Sequence, residues 1–273
     1  MSAFLYPLAS GSLGNSLLVS AGRTRVLVDM GISRRRLRAD LAGAGAAPED
    51  IRAVLLTHTH SDHFSASAAA FCLARRVPVY SAAENLAYLA QCMPDFADLV
   101  RAGLARPIDG GPLVLGDLAV EAFPVPHDSA GACLGFRLVL GSGRTRRTAA
   151  VATDLGHVPA ASLRHFLDCD AVVLESNHDP RMLRESGRPP DLIERIAGPH
   201  GHLSNSDCAE AVAGIVGRSR PARLRHVVLA HLSRDCNTPR LALAAQAALA
   251  RRHCDALRIF AAGQYEAGPA VDL

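Results

Sequence analysis

The sequence contains no tryptophan and no lysine, and only 4% of its 273 residues are aromatic. With so few aromatic residues, the composition does not identify side chains on which the bases of a single strand would stack. The seven cysteines are widely spaced and form no C-x-x-C pair, which excludes a disulfide framework and predicts free thiols in a reducing compartment. No stretch reaches the ~18 apolar residues of a membrane span, and no basic segment precedes the short apolar N-terminal stretch. We therefore expect a cytoplasmic protein without membrane contact.

The composition is otherwise that of an ordinary globular protein, with 49% hydrophobic and 20% charged residues, which excludes a disordered chain or a coiled coil. All 29 basic residues are arginines, against 26 acidic ones. The arginines are densest at 34–38, 144–147 and 218–225, and each run alone is more typical of a solvated helix face or turn than of a phosphate-binding surface. Because no long Pro/Gly/Ser linker interrupts the chain, we expect a single domain over residues 1–273.

Short apolar runs alternate with turn residues over the first 29 residues, a pattern that predicts a β-meander. Further along the chain, we predict helices at 34–41, 65–75, 83–91, 159–167, 206–217 and 238–252, and strands at 53–56, 77–80, 171–174 and 227–230. Residues 113–151 are rich in strand patterns and glycine. Strand-rich and helix-alternating stretches in one chain predict two packed sheets with helices outside, a four-layer αββα sandwich of the α/β (α+β) class.

A dense group of metal-binding side chains follows the predicted strand 53–56, where His58, His60, Asp62 and His63 form an H-x-H-x-D-H motif. In extended backbone the first two histidines share one face, and a turn then brings the other two residues round to face them. The alternative is a polar loop of unrelated histidines, but the motif is strong where a lone histidine would be weak. Imidazole and carboxylate ligands without thiolate suit zinc, manganese or iron, and two ligand pairs can serve two neighbouring ions.

Four ligands cannot fill the coordination shells of two ions, so side chains later in the chain must contribute. His127, Asp154 and His231 each follow an apolar run, where the loop after a strand exposes its side chains. Taken singly, His127 also fits a loop histidine, and Asp154 also fits a turn or helix-capping residue. Together with the H-x-H-x-D-H motif, all three are predicted to be metal ligands.

With these residues the chain resembles the metallo-β-lactamase superfamily, with matching elements from Leu8 to Ser233. The strings LASGSLGNS, TDLG, ESNHD, GHLSN and HLS resemble more narrowly its YycJ/WalJ group of bacterial metal-dependent hydrolases. The resemblance implies the αββα metallo-β-lactamase fold with the metals at one edge. It also implies two ligand sets and a bridging aspartate, which are His58, His60 and His127 for one ion, Asp62, His63 and His231 for the other, and Asp154 between them.

The resemblance reaches the nuclease branch of the superfamily, including ribonuclease Z, where a glutamate and a histidine assist proton transfer to the leaving oxygen. Glu175 and His202 match those positions, although a buried structural carboxylate and a capping or surface histidine would fit them too. His178 is a second candidate proton donor, and the sequence does not choose between the two histidines. The chain has no room for the large inserted domain of the ribonuclease J type and no long tRNA-gripping arm, which disfavours those substrates.

These residue types suit phosphodiester hydrolysis. Two cations lower the pKa of a bridging water and neutralise charge on the phosphoryl oxygens, Asp62 can orient the hydroxide, and a histidine held by a carboxylate can supply a proton near pH 7. The Gly/Ser turn at 10–15 either cradles a phosphate with its backbone or is a hairpin turn that requires glycine. The candidate substrate-binding residues in this turn and in the later polar strings are Ser10, Ser12, Asn15, Asn177 and Asn205.

We therefore predict a dinuclear metal-dependent hydrolase with two divalent ions, zinc favoured and manganese compatible. Its predicted activity is that of a phosphodiesterase or exonuclease-like nuclease, with DNA or RNA as its partner. Acyl or thioester hydrolysis by the same metals is the alternative, and a non-catalytic metal-stabilised module is a third interpretation. The sequence leaves open the type of nucleic acid, the polarity of cleavage and whether the chain forms a homodimer.

Overall fold

The computed structural model describes residues 3–108, 110–252 and 257–273, and Cys254 lies outside them. Its strands are β1 (Ala3–Ala9), β2 (Ser16–Ala21), β3 (Thr24–Val28), β4 (Ile51–Leu55), β5 (Val79–Ser81), β6 (Ala105–Pro107), β7 (Leu113–Leu115), β8 (Leu118–Pro124), β9 (Leu134–Leu140), β10 (Arg147–Ala152), β11 (Ala171–Glu175), β12 (His226–Ala230), β13 (Arg258–Ala261) and β14 (Val271–Asp272). They form two seven-stranded sheets, in the orders β14-β1-β2-β3-β4-β5-β6 and β13-β12-β11-β10-β9-β8-β7.

Helices cover the outer face of each sheet. They are α1 (Arg34–Gly43), α2 (Ala66–Arg75), α3 (Ala83–Cys92), α4 (Pro94–Arg101), α5 (Ala160–Leu163), α6 (Pro180–Arg184), α7 (Pro190–Ala197), α8 (Asn205–Arg218), α9 (Pro239–Ala245) and α10 (Ala247–Arg252). One hydrophobic cluster, which includes Val26 and Val151, fills the space between the sheets. Two further clusters join the helices to the sheets, one around Phe64 and one around Phe166. Helix, sheet, sheet and helix layers therefore follow one another, which confirms the predicted αββα sandwich.

The topology brings several strand ends to one edge of the molecule. In the first sheet β3, β4 and β5 are parallel, and in the second β10, β11 and β12 are parallel. Parallel neighbours end at the same edge of a sheet, where the following loops can pool their side chains. These strands are buried on both faces, which explains their continuous apolar sequences. Polar residues that follow them in the sequence are therefore carried to a common rim.

Local predictions are confirmed for the opening β-meander and for the elements that flank the H-x-H-x-D-H motif. The helix predicted at 159–167 is wrong in extent, since only Ala160–Leu163 is α-helical. The helix predicted at 238–252 is interrupted at Gln246, which is the C-cap of α9. Three helices, α4, α6 and α7, were not predicted, and each starts at a proline in its first turn, where proline is compatible with a helix.

Six cysteines in the described ranges are free, and they are Cys72, Cys92, Cys133, Cys169, Cys208 and Cys236. The prediction of free thiols is confirmed for these six. Among the helices of residues 3–108, 110–252 and 257–273, none combines the length and the apolar character needed to cross a bilayer.

Candidate metal centre

The H-x-H-x-D-H segment leaves β4 and folds into a tight turn. The amide nitrogens of His63 and Phe64 both donate to the carbonyl of His60, at 3.0 and 3.1 Å. Phe64 is fully buried in the outer core of the first sheet and anchors the turn there. The turn places the ring centroids of His58 and His63 4.0 Å apart, with both side chains buried. The hydrogen-bonded turn therefore brings the histidines of the motif together.

The first ligand group consists of His58, His60 and His127, whose ligand atoms all lie within 4.8 Å of one another. Nε2 of His58 is 3.0 Å from Nδ1 of His60. Nδ1 of His127 donates to the carbonyl of Gly201 at 2.9 Å, which leaves its buried Nε2 without a hydrogen-bond partner. Burial lowers the pKa of His58, so its imidazole is neutral, the form that binds a metal. Three imidazoles with converging nitrogens form a candidate cation site.

The second ligand group consists of Asp62, His63 and His231. Oδ2 of Asp62 lies 3.6 Å from Nε2 of each histidine. The other ring nitrogen of each histidine is held by a buried carboxylate, since Nδ1 of His63 is 2.8 Å from Asp29 and Nδ1 of His231 is 2.8 Å from Glu175. Such outer carboxylates fix the ring orientation and raise the basicity of the metal-binding nitrogen.

Asp154 joins the two groups. Its Oδ2 lies 3.2 Å from Nε2 of His63, and its Oδ1 lies 3.9 Å from Nε2 of His127. It also forms a possible ligand set with His58 and His63. The side chain is buried, and the pKa of its carboxyl is held well below the usual range because the attraction of His231 and His63 outweighs the effect of burial. An ionised carboxylate therefore lies between the two groups of ligands.

The donor set fits divalent cations. The buried atoms Nε2 of His127, Nε2 of His231 and Oδ2 of Asp154 have no hydrogen-bond partner, although buried polar atoms are nearly always satisfied. Burial lowers the pKa of His63, but the carboxylates of Asp154 and Asp29 outweigh it and raise that pKa to about 10. A cation bound beside the ionised Asp154 carboxylate would take over the charge compensation that these histidines supply. The residues at this rim therefore fit a divalent cation.

Sequence reasoning missed Asp29 and Gly31, which help to hold the first motif in place, and it assigned Asn15 to substrate binding. Asp29 follows β3 with a left-handed backbone, φ 60°, and its Oδ1 accepts from the Thr57 amide at 2.9 Å. Asn15 places its Nδ2 3.2 Å from Oδ2 of Asp62. Gly31 allows the closest approach, because a Cβ there would lie 1.6 Å from the Asp62 carbonyl. A signal existed for Asp29, since it follows an apolar strand as the other rim residues do.

Glu175 and His202 lie together beside the ligand groups. Oε1 of Glu175 is 2.7 Å from Nδ1 of His202, and Oε2 accepts from the amides of Leu155 and Leu203 at 2.8 and 3.1 Å. Burial raises the pKa of Glu175, but the His202 imidazole outweighs it and the pKa is lowered. The His202 side chain is 23% exposed. An ionised, fully bonded carboxylate thus orients a histidine that reaches solvent.

Three further residues predicted for the site, His178, Asn177 and Asn205, are buried in this structure. His178 is only 3% exposed, and its backbone pairs with Ser204. Asn177 donates to the carbonyl of His231 at 2.9 Å, and Nδ2 of Asn205 donates to Oδ1 of Asn237 at 2.9 Å.

The turn at 10–15 lies against the second ligand group. Oγ of Ser10 accepts from the amide of His231 at 2.7 Å, while Ser12 is exposed at the tip of the turn. His231 has a left-handed backbone, φ 51°. The Ser10 hydroxyl thus satisfies a backbone group at a strained position next to a candidate ligand.

A cleft of about 230 Å³ opens beside the first ligand group, between His60, His127 and His202 on one side and Arg195 and His200 on the other. Its outer wall is α7, none of whose eight side chains is buried. The chain returns from α7 to His202 through Gly201, where a Cβ would lie 2.2 Å from the carbonyls of Arg195 and Ile196. The Arg195 guanidinium pairs with Asp128 at 2.5 Å. The cleft gives a substrate access to the candidate ligands from solvent.

Comparison with known proteins matches this architecture. A family model described as a beta-lactamase superfamily domain matches residues 24–231, a range that includes all seven candidate ligands. The exodeoxyribonuclease WalJ of Streptococcus pneumoniae is 31% identical over 243 residues, which are 86% of this chain and 83% of that protein. The exodeoxyribonuclease YycJ of Bacillus anthracis is 33% identical over 243 residues, 86% of this chain and 84% of that protein.

A solved structure shows the same fold. The metallo-beta-lactamase fold protein YhfI from Bacillus subtilis superposes with a TM-score of 0.67 over 100% of both chains, at 15% sequence identity.

Proposed function

Since the chain belongs to the metallo-β-lactamase superfamily, in the group of the YycJ and WalJ proteins, we propose that it is a DNA exonuclease that works with two divalent cations. Within this superfamily, its similarity to relatives named as exodeoxyribonucleases indicates a metal-dependent hydrolase of phosphodiester bonds. The choice of DNA and of strand ends is supported by two relatives above 30% identity, both named as exodeoxyribonucleases.

Seven side chains would hold the two ions: His58, His60 and His127 for the first, Asp62, His63 and His231 for the second, and Asp154 for both. The grouping of their ligand atoms supports this assignment. When bound, the ions would supply an activated water and neutralise charge on the phosphoryl oxygens. Zinc is our first choice because the donors are imidazoles and carboxylates without thiolate, and manganese suits the same donors.

The observation that carries the proposal is the Glu175–His202 pair beside these ligands. Hydrolysis joins an oxygen of water to phosphorus and breaks the bond from phosphorus to the leaving oxygen, which must then gain a proton. Nδ1 of His202 is held by Glu175 at 2.7 Å, which leaves Nε2 as the nitrogen that can give this proton. His202 is 23% exposed whereas His178 is 3% exposed. These exposures support His202 as the donor.

The side chains around the cluster would position the substrate and the water. Asp62 is fixed by Asn15 at 3.2 Å, so it can orient the attacking water while it serves as a ligand. Arg195 and His200 line the cleft next to His60 and can contact phosphates on the strand that leads to the scissile bond. Such contacts would position the strand without sequence specificity, because phosphates are the same at every nucleotide.

End-labelled single- and double-stranded DNA and RNA, incubated with the protein and zinc or manganese, test this proposal. We expect mononucleotides released stepwise from DNA, and no activity in the His58→Ala variant. Preferential cleavage of RNA, cuts within the strand, or turnover of esters alone would contradict it. The ester result would support the acyl-hydrolase alternative.

A further inference from the structure

A second cleft, of about 360 Å³, lies against the metal centre on the side of His231. Leu232 and Ser233, which directly follow His231 in the chain, form part of its wall. Ser10 forms another part, and its Oγ accepts a hydrogen bond from the His231 amide at 2.7 Å. Residues that are bonded or hydrogen-bonded to His231 therefore line this cleft, whereas His60 and His127 themselves line the cleft beside α7.

Tyr265 stands at the mouth of this second cleft, with 64% of the residue exposed. Among the large hydrophobic residues exposed in the described ranges, the aromatic ones are Tyr88 and Tyr265. Tyr88 lies on α3, outside the cleft. An exposed aromatic ring beside a phosphodiesterase centre offers a face on which a nucleobase can stack, whatever the base.

The loop that carries Tyr265 is fixed at the residue before it. Oε1 of Gln264 accepts from the amide of Leu13 at 3.0 Å, and its carbonyl accepts from the Arg36 guanidinium at 2.6 Å. The neighbouring Gly263 carbonyl accepts from the amide of Ser10 at 2.9 Å. The backbone that leads to Tyr265 is thus tied to the turn at 10–15 and to α1. A preformed site binds more tightly because less conformational freedom is lost.

We propose that this cleft binds the terminal nucleoside of the DNA strand, with its base stacked on Tyr265, while the adjoining phosphate lies at the metal centre. The proposal rests on the proposed exonuclease function. The size of the cleft supports one occupant of small-molecule size, since sites for such ligands start at about 300 Å³. Its walls are largely aliphatic at Leu232, Pro239 and Ala262, which suits a base and a sugar. The Arg234 guanidinium on the same wall pairs with Asp235 at 3.1 Å through Nε, and its other nitrogens suit a phosphate oxygen.

The test compares Tyr265→Ala and Tyr265→Phe with Tyr88→Ala, the matched exposed tyrosine outside the cleft. Each protein is loaded with zinc or manganese and assayed on a single-stranded oligonucleotide, on the same strand with an abasic residue at its 5′ or 3′ end, and on bis-p-nitrophenyl phosphate. We expect Tyr265→Ala to lower kcat/KM on the intact strand by about tenfold relative to its rate on bis-p-nitrophenyl phosphate. Tyr265→Phe should retain the wild-type ratio, and Tyr88→Ala should retain both rates.

The abasic strands show whether the lost contact is to the terminal base. When the abasic residue is at the end where degradation starts, we expect the kcat/KM of wild-type protein to be about tenfold lower than on the intact strand. The kcat/KM of Tyr265→Ala should be the same on the abasic strand as on the intact strand. An equal effect of Tyr265→Ala on intact and abasic strands would overturn the stacking, as would an equal loss on bis-p-nitrophenyl phosphate. If wild-type protein hydrolyses bis-p-nitrophenyl phosphate but no DNA, the exonuclease function itself fails, which distinguishes that outcome from failure of the cleft assignment alone.

Discussion

Oε1 of Glu175 lies 2.7 Å from Nδ1 of His202 and 2.8 Å from Nδ1 of His231. One carboxylate oxygen therefore connects a candidate proton donor to a candidate metal ligand. The other oxygen is occupied by two backbone amides, so the carboxylate cannot turn away from either histidine without losing bonds. Its removal should affect proton transfer and metal binding together, whereas removal of His202 should affect proton transfer alone.

We expect His202→Ala to lower kcat on DNA by roughly 10²- to 10⁴-fold, the usual contribution of a general acid. The loss on bis-p-nitrophenyl phosphate should be smaller, because nitrophenolate leaves readily without a proton. Metal content, measured by elemental analysis, should stay at the wild-type level. His157 is an exposed histidine, and the control variant His157→Ala should retain wild-type activity. Equal losses on the two substrates would show that His202 is not the donor.

Glu175→Gln should lower both activity and metal affinity, the latter by roughly 10- to 100-fold as found for outer-sphere carboxylates. The reason is its bond to the ring of His231 as well as to that of His202. Titration of the metal-free protein with zinc measures the affinity. Wild-type affinity in this variant would mean that the carboxylate does not support the ligand.

Asp29→Asn should weaken metal binding by a similar factor while preserving the fold, because the amide has the same shape as the carboxylate. Asp29 holds Nδ1 of His63 at 2.8 Å and contacts Thr57. The same zinc titration checks this, with Asp98→Asn on the exposed face of α4 as the control. Unchanged affinity in Asp29→Asn would contradict the supporting role.

Removal of metal should destabilise the protein. Asp29, Asp154 and Glu175 are buried, and without cations they rely on neighbouring histidines and hydrogen-bond donors for stabilisation. A ligand at 100 times its Kd adds about 2.7 kcal/mol to the free energy of unfolding, which corresponds to roughly 5–10 °C in Tm for a chain of this size. Thermal unfolding with a chelator, and again after zinc is restored, measures the shift. A Tm that does not respond to metal, or a His58→Ala variant that responds as wild type does, would contradict the metal assignment.

Stability should fall in mild acid because of His165. Its ring stacks on Phe123, with centroids 4.4 Å apart and planes 7° apart, and burial lowers its pKa below 6.5. The unfolded chain then binds a proton more readily than the folded one, so this contribution is complete above about pH 6.5 and is lost as pH falls. Urea unfolding of the metal-free protein at pH 7.5 and 5.5 should show a smaller acid loss for His165→Phe than for wild type. Identical losses would refute this prediction.

The sequence predicted the candidate ligands at the rim better than the residues that hold those ligands in place. The H-x-H-x-D-H residues are local to one turn, and His127, Asp154 and His231 follow apolar strands, so pattern and spacing were sufficient. The contact of Asp29 with His63 joins residues 34 positions apart, and its pairing depends on sheet register. The proposed role of Tyr265 depends on its exposure beside the second cleft. Tertiary packing decides that exposure, so the sequence pattern could not predict it. The single-domain organisation, the cytoplasmic location and a homodimer stay predictions.

Helix α7 contributes no buried side chain, yet it forms the outer wall of the cleft beside His60 and His127. Core packing therefore places little constraint on its residues, while the ligands beneath are fixed by strands and buried carboxylates. Exchange of α7 between related enzymes should then change which nucleic-acid strands enter the cleft at a smaller cost in stability than exchange of a buried helix. Diversification of substrate range within this lineage should concentrate in residues 190–197, and directed evolution can begin there.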